Sequence, residues 1–237
     1  MKKPLIVTID GPAGAGKSTV AQKLAQLLGL AYLDSGATYR AAALKVLEAG
    51  IPPEDEPSVT ALILATDIGL ATDSGRSRVL LEGQDISTRI RTPEVTAAAS
   101  VISQFPAVRH KLARLQRSLA TGAGIVMEGR DIGTVVFPEA PLKIFLVADP
   151  EERARRRMGQ EKESGSLEET KRQIIRRDRQ DIERRVSPLV PADDAVEIDS
   201  THLNADQVVE SIMQLARLRG LLQDRRAVNG AQETPET

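Results

Sequence analysis

The chain reads as an α/β protein built on a parallel sheet, and three observations predict it. Short, unbroken apolar runs alternate with amphipathic stretches, the pattern of strands buried on both faces with helices between them. The first run leads at once into Gly11-Pro12-Ala13-Gly14-Ala15-Gly16-Lys17-Ser18, which fits G-x-x-x-x-G-K-[ST] at every fixed position. Charged residues gather where the runs end, at Asp34, Glu128, Arg130, Asp131 and Asp149, and strand ends are where an open parallel sheet places its sites.

Leu5–Ile9 is the first strand, and Lys17 to about Leu28 the first helix. Glycine and alanine strip the loop between them of side chains. Successive backbone N–H groups can then close around a polyphosphate at a helix N-terminus, where the dipole also favours an anion. Lys17 would bridge the terminal phosphates and the Ser18 hydroxyl would meet Mg²⁺. A ligand-free glycine turn is the competing reading, and the strand, loop and helix order counts against it.

Ala31-Tyr32-Leu33 is the second strand, and a helix follows over about Thr38–Ala49. Ser35 and Gly36 at that junction can offer amides to a second anion, with Arg40 about a turn and a half further on; a capped helix with a solvated arginine fits as well. From about Thr66 to Arg91 the rhythm breaks. Ile68–Thr72, Arg78–Leu81 and Gln84–Ile86 read as short strands around the turn segments Asp73-Ser74-Gly75 and Glu82-Gly83, a small antiparallel insert. Thr92-Pro93-Glu94 starts a helix whose small residues Ala97 to Ser100 allow close packing or close approach of a ligand, and another helix runs from about Ala107 to Leu119.

Ile125-Val126-Met127 returns to the sheet and ends in Glu128-Gly129-Arg130-Asp131-Ile132-Gly133-Thr134. Glu128 stands where a phosphate-loop enzyme needs an acid to organise the Mg²⁺ shell through water. Gly129 keeps the backbone low, so Arg130 and Asp131 project over the same crevice, unless they merely hold a turn together. After the strand Lys143–Val147, Asp149-Pro150-Glu151-Glu152 opens a helix with a cap, a first-turn proline and first-turn acids. That helix carries Arg153, Arg155, Arg156 and Arg157. Gly159–Ser166 is polar and glycine-bounded, which suits a mobile flap. On the helix from about Leu167 to Arg185, ended by Ser187-Pro188, the residues Arg177, Asp181 and Arg184 share one face. Such a stripe is either a solvated face or, beside so many arginines, a phosphate clamp. Val196–Asp199 is the last strand and Ala205–Leu218 the last helix; from Gly220 onward periodicity is lost, as in a disordered tail.

Composition narrows the function. The 237 residues fit one large or two small domains, and five aromatic residues (Tyr32, Tyr39, Phe105, Phe137, Phe145) leave an aliphatic core with no stacking platform for single-stranded nucleic acid. A net charge of −1 also argues against a nucleic-acid partner. There is no cysteine, and the two histidines, His110 and His202, cannot build a zinc site and read as surface residues. The apolar run after Lys2-Lys3 is too short for a secretory signal, and no stretch approaches the ~18 apolar residues of a membrane span, so a soluble cytoplasmic protein without a membrane partner is expected. Many arginines and no histidine near a strand end favour phosphoryl transfer to a phosphate, which is largely ionised at neutral pH and needs no base, over transfer to an alcohol. A guanine-reading switch would carry N-K-x-D, which is absent.

GPAGAGKST at Gly11–Thr19, LDSGATYR at Leu33–Arg40, the antiparallel insert, EGRDIGTVVFPEAPLKIFL at Glu128–Leu146 and RDRQDIERRVSPL at Arg177–Leu189 together resemble the bacterial cytidylate kinase family, over about Pro4 to Arg219. The resemblance implies the nucleoside monophosphate kinase fold: a parallel five-stranded sheet flanked by helices, a small antiparallel β insert and a lid. It implies a kinase domain over 1–219, with the insert in an acceptor-binding region about 63–103, a lid about 156–168, and a tail over 220–237. Activity would be MgATP-dependent phosphorylation of CMP and dCMP; the alternatives are another small-molecule kinase, for UMP, AMP or an alcohol acceptor, and, in a different class, a nucleotide-binding switch or regulatory module. No long apolar stripe requires a partner, so a monomer is expected. ATP would sit on Gly11, Pro12, Ala13, Gly14, Ala15, Gly16, Lys17, Ser18 and Thr19, with Mg²⁺ at Ser18 and, through water, at Glu128. Ser35, Arg40, Arg130 and Arg184 would hold the acceptor phosphate. Ser100, Arg109 and Asp131 would read cytosine, unless Asp131 instead orients Arg130, and Arg177 and Asp181 would face the sugar. Lys17, Arg130, Arg153, Arg157 and Arg184 would be catalytic, with Arg153 and Arg157 approaching the transferring phosphoryl group. The chain departs from the family pattern in having Glu128 where Asp is familiar and Ser18 where Gly is frequent.

Overall fold

The computed structural model describes residues 4–73, 76–120, 124–161 and 166–222. It opens with β1 (Leu5–Asp10), whose Val7 and Ile9 are fully buried, then the phosphate loop and α1 (Lys17–Leu28). Gly29 ends α1 in the left-handed conformation, its N–H on Gln26 O and the Leu30 N–H on Ala25 O. β2 (Ala31–Asp34) passes directly into α2 (Ser35–Glu48), so this helix begins three residues before the expected Thr38. Asp34 is its N-cap residue and Ser35 lies in its first turn.

α3 (Glu56–Ala65) escapes the sequence reading, because its apolar residues are spread around the helix instead of forming one stripe; its signal was local, in the Asp55 side chain that accepts from the Ser58 N–H. β3 (Ile68–Asp73), β4 (Arg76–Leu81) and β5 (Gln84–Asp85) then form the antiparallel three-stranded sheet. Ser74 and Gly75 of the expected turn lie outside the described residues. α4 (Pro93–Ile102) is capped by the Thr92 side chain, and α5 (Pro106–Ser118) begins on its proline. β6 (Gly124–Gly129) is buried throughout. After it comes one turn of π-helix, Ile132–Val136, which no sequence pattern announces.

β7 (Leu142–Val147) precedes α6 (Pro150–Glu161), where Asp149 accepts from the Glu151 N–H as expected of a cap. Gly159 lies within α6 instead of a flap, and residues 162–165 of the expected flap lie outside the described residues. α7 (Leu167–Ile182) starts on a capping box of Ser166 and Glu169 and stops before Arg184, short of the expected Arg185. β8 (Val196–Asp199) and α8 (Ala205–Leu218), capped by Asn204 and Gln207, close the fold. Leu221 and Leu222 still pack on the core, so ordered chain continues past Gly220; residues 223–237 lie outside the described residues.

All five strands of the main sheet are parallel, in the order β2-β6-β1-β7-β8. Register places Glu128 of β6 opposite both Ile9 of β1 and Asp34 of β2, and Asp10 opposite Gly129. Three carboxyl ends are thereby brought side by side. One aliphatic cluster joins the sheet to α1 and α8 through Val20, Leu24, Ile144, Val208 and Ile212. A second holds α2, α3, α4, α5 and the small sheet together through Ala42, Ile63, Val79, Ile102 and Leu112. The fully buried Ala41, Ala42 and Ala43 let the elements around α2, α4 among them, pack close to it.

Candidate active site

The loop after β1 needs its glycines for space as well as for conformation. Gly11 has φ 144°, and a Cβ there would lie 2.1 Å from the Leu146 carbonyl oxygen; at Gly14, φ 77°, it would lie 2.9 Å from the Arg153 oxygen. Gly16, φ 90°, caps α1 without any side-chain bond, so the first-turn N–H groups keep their donor capacity. Lys17 is buried and its Nζ donates to the Pro12 oxygen at 2.6 Å. Burial, and then the nearby Arg130 charge, pull its pKa down to about 7. Ser18 and Thr19 are exposed at the rim.

Glu128 faces Ser18 across the mouth of this loop and accepts the Tyr32 hydroxyl at 2.8 Å. Burial, followed by the Asp34 charge, raises its pKa. Among the described residues no group of three His, Cys, Asp or Glu could hold a metal ion alone. One hydroxyl and one carboxylate suit a cation that takes its remaining ligands from phosphates and water, as Mg²⁺ does. On the outer side of the loop a cavity of about 240 Å³ is lined by Gly14 to Val20, Arg156, Ser200, Asn204 and Val208. Arg156 is fixed there by Glu152 and Ser200, each at 3.0 Å; the sequence placed Arg156 and Glu152 on the same helix but not at this cavity, and Ser200 carries no motif.

The inner cavity, about 360 Å³, shares Gly14, Lys17 and Ser18 with the loop and collects the expected acceptor residues. Ser35 and Arg40 reach it from α2, Ser100 from α4, Arg109 from α5, Arg130 and Asp131 from the turn after β6, Arg157 from α6, and Arg177 and Asp181 from α7. Arg184 also lines it, though it lies past the end of α7 and so not on the helix face that Arg177 and Asp181 share. Arg130 Nε donates to Asp181 at 2.8 Å, Arg40 to Asp34 at 2.6 Å, and Arg184 to the Ser187 oxygen at 2.9 Å. Arg177 is pulled down to about 10, first by burial and then by the Arg130 charge, with Arg157 and Arg40 adding to it. Burial, with Arg109 next, lowers Arg184 as well. Cations crowded this way are stabilised by a polyanion placed among them.

At the far wall Arg109 Nη2 donates to Asp131 at 2.6 Å, and the pair is almost fully buried. Arg109 also donates to the Ser103 oxygen at 2.8 Å and stands 5.3 Å from the Tyr39 ring centre, while its Nε is buried without a partner. Asp131 therefore pairs with Arg109; Arg130 takes Asp181 instead. Arg153 differs from its expected place. Its guanidinium lies beneath the phosphate loop, donating to Ala148 O at 2.9 Å and Ala13 O at 3.1 Å and pairing with Asp178. It does not line the inner cavity. Sequence reading missed Tyr39, Arg91, Thr96 and Ser103 of the same cavity, Asp178, and Asp10, whose carboxylate accepts the Ile132 and Gly133 N–H groups at 2.9 and 2.7 Å.

A family model described as cytidylate kinase matches residues 7–218. A cytidylate kinase from Pelotomaculum thermopropionicum is 48% identical over 87% of this chain and 93% of its own length. One from Geobacter sulfurreducens is 45% identical over 97% of this chain and 98% of its own. Among solved structures, a gluconokinase from Sinorhizobium meliloti 1021 is similar at 15% identity over 93% of this chain and 97% of that one, with a TM-score of 0.48.

Proposed function

The chain belongs to the cytidylate kinase family, and from that premise we propose that the outer and inner cavities are the donor and acceptor sites of one reaction. That reaction is phosphoryl transfer to CMP and dCMP, giving CDP and dCDP, with ATP becoming ADP. The observation that carries the assignment of sites is the ring of Arg40, Arg130, Arg157, Arg177 and Arg184 around a cavity floored by Lys17 of the phosphate loop. Two polyanions brought together need neutralised charge and fixed positions more than they need a base.

The triphosphate lies on Gly11 to Thr19, and Lys17 turns from the Pro12 oxygen to the terminal phosphates. Ser18, and Glu128 through water, hold Mg²⁺, which when bound neutralises charge on the phosphate oxygens. Ser35, Arg40, Arg130 and Arg184 hold the acceptor phosphate; its second pKa is about 6, so the attacking oxygen is ionised at neutral pH without proton removal. Arg157 neutralises charge as the two phosphates approach, and Arg177 and Asp181 face the sugar. The exocyclic amine of cytosine donates to Asp131, its ring acceptors take N–H bonds from Arg109, and Ser100 closes the base pocket. Uracil would put a carbonyl oxygen against the carboxylate, an unpaired buried contact that costs affinity.

Small soluble substrates suit a cytoplasmic monomer, which light scattering checks; no helix of the described residues is long and apolar enough to cross a membrane. The test of function is ADP release with a panel of acceptors. CMP and dCMP should give turnover well above UMP, AMP, GMP and shikimate. Strong turnover with AMP and none with CMP would overturn the reading.

A further inference from the structure

Two charged residues outside the inner cavity grip the backbone of the phosphate loop. Asp178, on α7, accepts the Ala13 N–H at 3.2 Å in a buried contact and pairs with Arg153 of α6. Arg153 in turn donates to Ala13 O at 3.1 Å and anchors itself on Ala148 O. One ion pair thus holds both polar groups of Ala13, and with them two successive peptide planes. Peptide planes are trans and rigid, so fixing Ala13 O on the Arg153 side turns the Gly14 N–H to the other. Gly14 lines both cavities, and its own backbone is packed against Arg153.

Lys17 gives this grip its significance. Its Nζ holds the Pro12 oxygen, the other end of the peptide whose N–H Asp178 takes. When Lys17 leaves for the phosphates, Asp178 alone among these contacts still fixes that peptide. Asp178 is also flanked on α7 by Arg177, which lines the acceptor cavity, and by Asp181, one turn on, which holds Arg130. The same helix therefore touches the donor loop and the acceptor's arginines.

We propose that Asp178 and Arg153 are positioning residues which clamp the phosphate loop to α6 and α7, so that ordering of the donor loop and seating of the acceptor become one coupled event. The inference rests on the donor and acceptor assignment above. It removes Arg153 from the groups that touch the transferring phosphate.

The experiment measures binding of a non-hydrolysable ATP analogue with and without CMP, beside steady-state turnover. In the parent, CMP should tighten analogue binding about fivefold or more, within the usual range of coupling between sites. In Asp178→Asn the factor should fall below about twofold while CMP alone binds as in the parent, and kcat should fall about tenfold or more, since misplacing the loop costs orientation. An unchanged coupling factor in the variant, or none in the parent, overturns the clamp. If the parent does not turn over CMP at all, the functional reading fails instead. Arg153→Lys carries the same expectation if Asp178→Asn does not fold, because an ammonium cannot span Asp178, Ala13 O and Ala148 O as a guanidinium does. Hydrogen exchange on the unmodified protein decides independently of both: a protected Ala13 amide supports the clamp, and exchange at the rate of an open amide overturns it.

Discussion

At the scale of single residues, Lys17 makes the sharpest claim. Its pKa, pulled down to about 7 by burial and by Arg130, must rise when phosphates arrive, so nucleotide binding takes up a proton above neutrality. ATP affinity should therefore weaken as pH rises from 7 toward 8.5, by at most about tenfold per unit, and Lys17→Met should flatten the profile; calorimetry across that range measures both. Arg109 makes a second claim. Arg109→Met would strip Asp131 of its buried partner, so KM for CMP should rise by about tenfold or more while KM for ATP moves little. Equal effects on the two substrates would count against base reading at that wall.

At the scale of elements, the turn after β6 is held by a residue of β1. Asp10 takes two backbone N–H groups of the π turn, and burial lifts its pKa to about 6. The folded state holds that proton more tightly than the unfolded chain does, so this group's contribution is fully present below about 3.8 and is lost as pH rises through 6. Asp10→Asn can accept only one of the two N–H groups. It should cost about 1–3 kcal/mol in urea unfolding at pH 7, and it should remove that part of the pH slope between 4 and 6. Gly11→Ala tests the neighbouring element. Its Cβ would fall 2.1 Å from a backbone oxygen of β7, so the loop or the strand must move, and both stability and ATP binding should fall sharply in thermal melts and titrations.

At the scale of the whole molecule, a chain with net charge −1 gathers seven of its 23 arginines around one crevice. The field is local, and the balance elsewhere discourages polyanions too large to enter the crevice. KM for CMP should rise as KCl increases from 50 to about 500 mM, with little change in melting temperature, because screening weakens attraction of the substrate more than it weakens a buried aliphatic core. The inner cavity takes its walls from α2, α4, α5, α6 and α7, so it lies between the small-sheet side of the molecule and the helices that follow β7.

How much of this was legible in the sequence can be judged from particular residues. The phosphate loop, Glu128, Arg130 and Arg40 were readable because each stands within a few residues of a strand end, where local spacing and position on the sheet are the same information. The parallel sheet was readable from its unbroken apolar runs. α3 and the π turn were not, since their apolar residues follow no single face and their shape depends on what packs against them. Partnership was beyond reach as well. Asp131 takes Arg109 instead of its chain neighbour Arg130, Asp181 takes Arg130 across 51 positions, and Asp178 reaches Ala13 across 165. The sequence by itself determined which chemical groups the protein carries and that phosphates would be gripped at the end of β1. Only the tertiary structure decided which cation each carboxylate neutralises, and hence which arginines line the inner cavity and which, like Arg153, hold the loop, because a buried charge is paired by proximity in space and the fold alone sets that proximity.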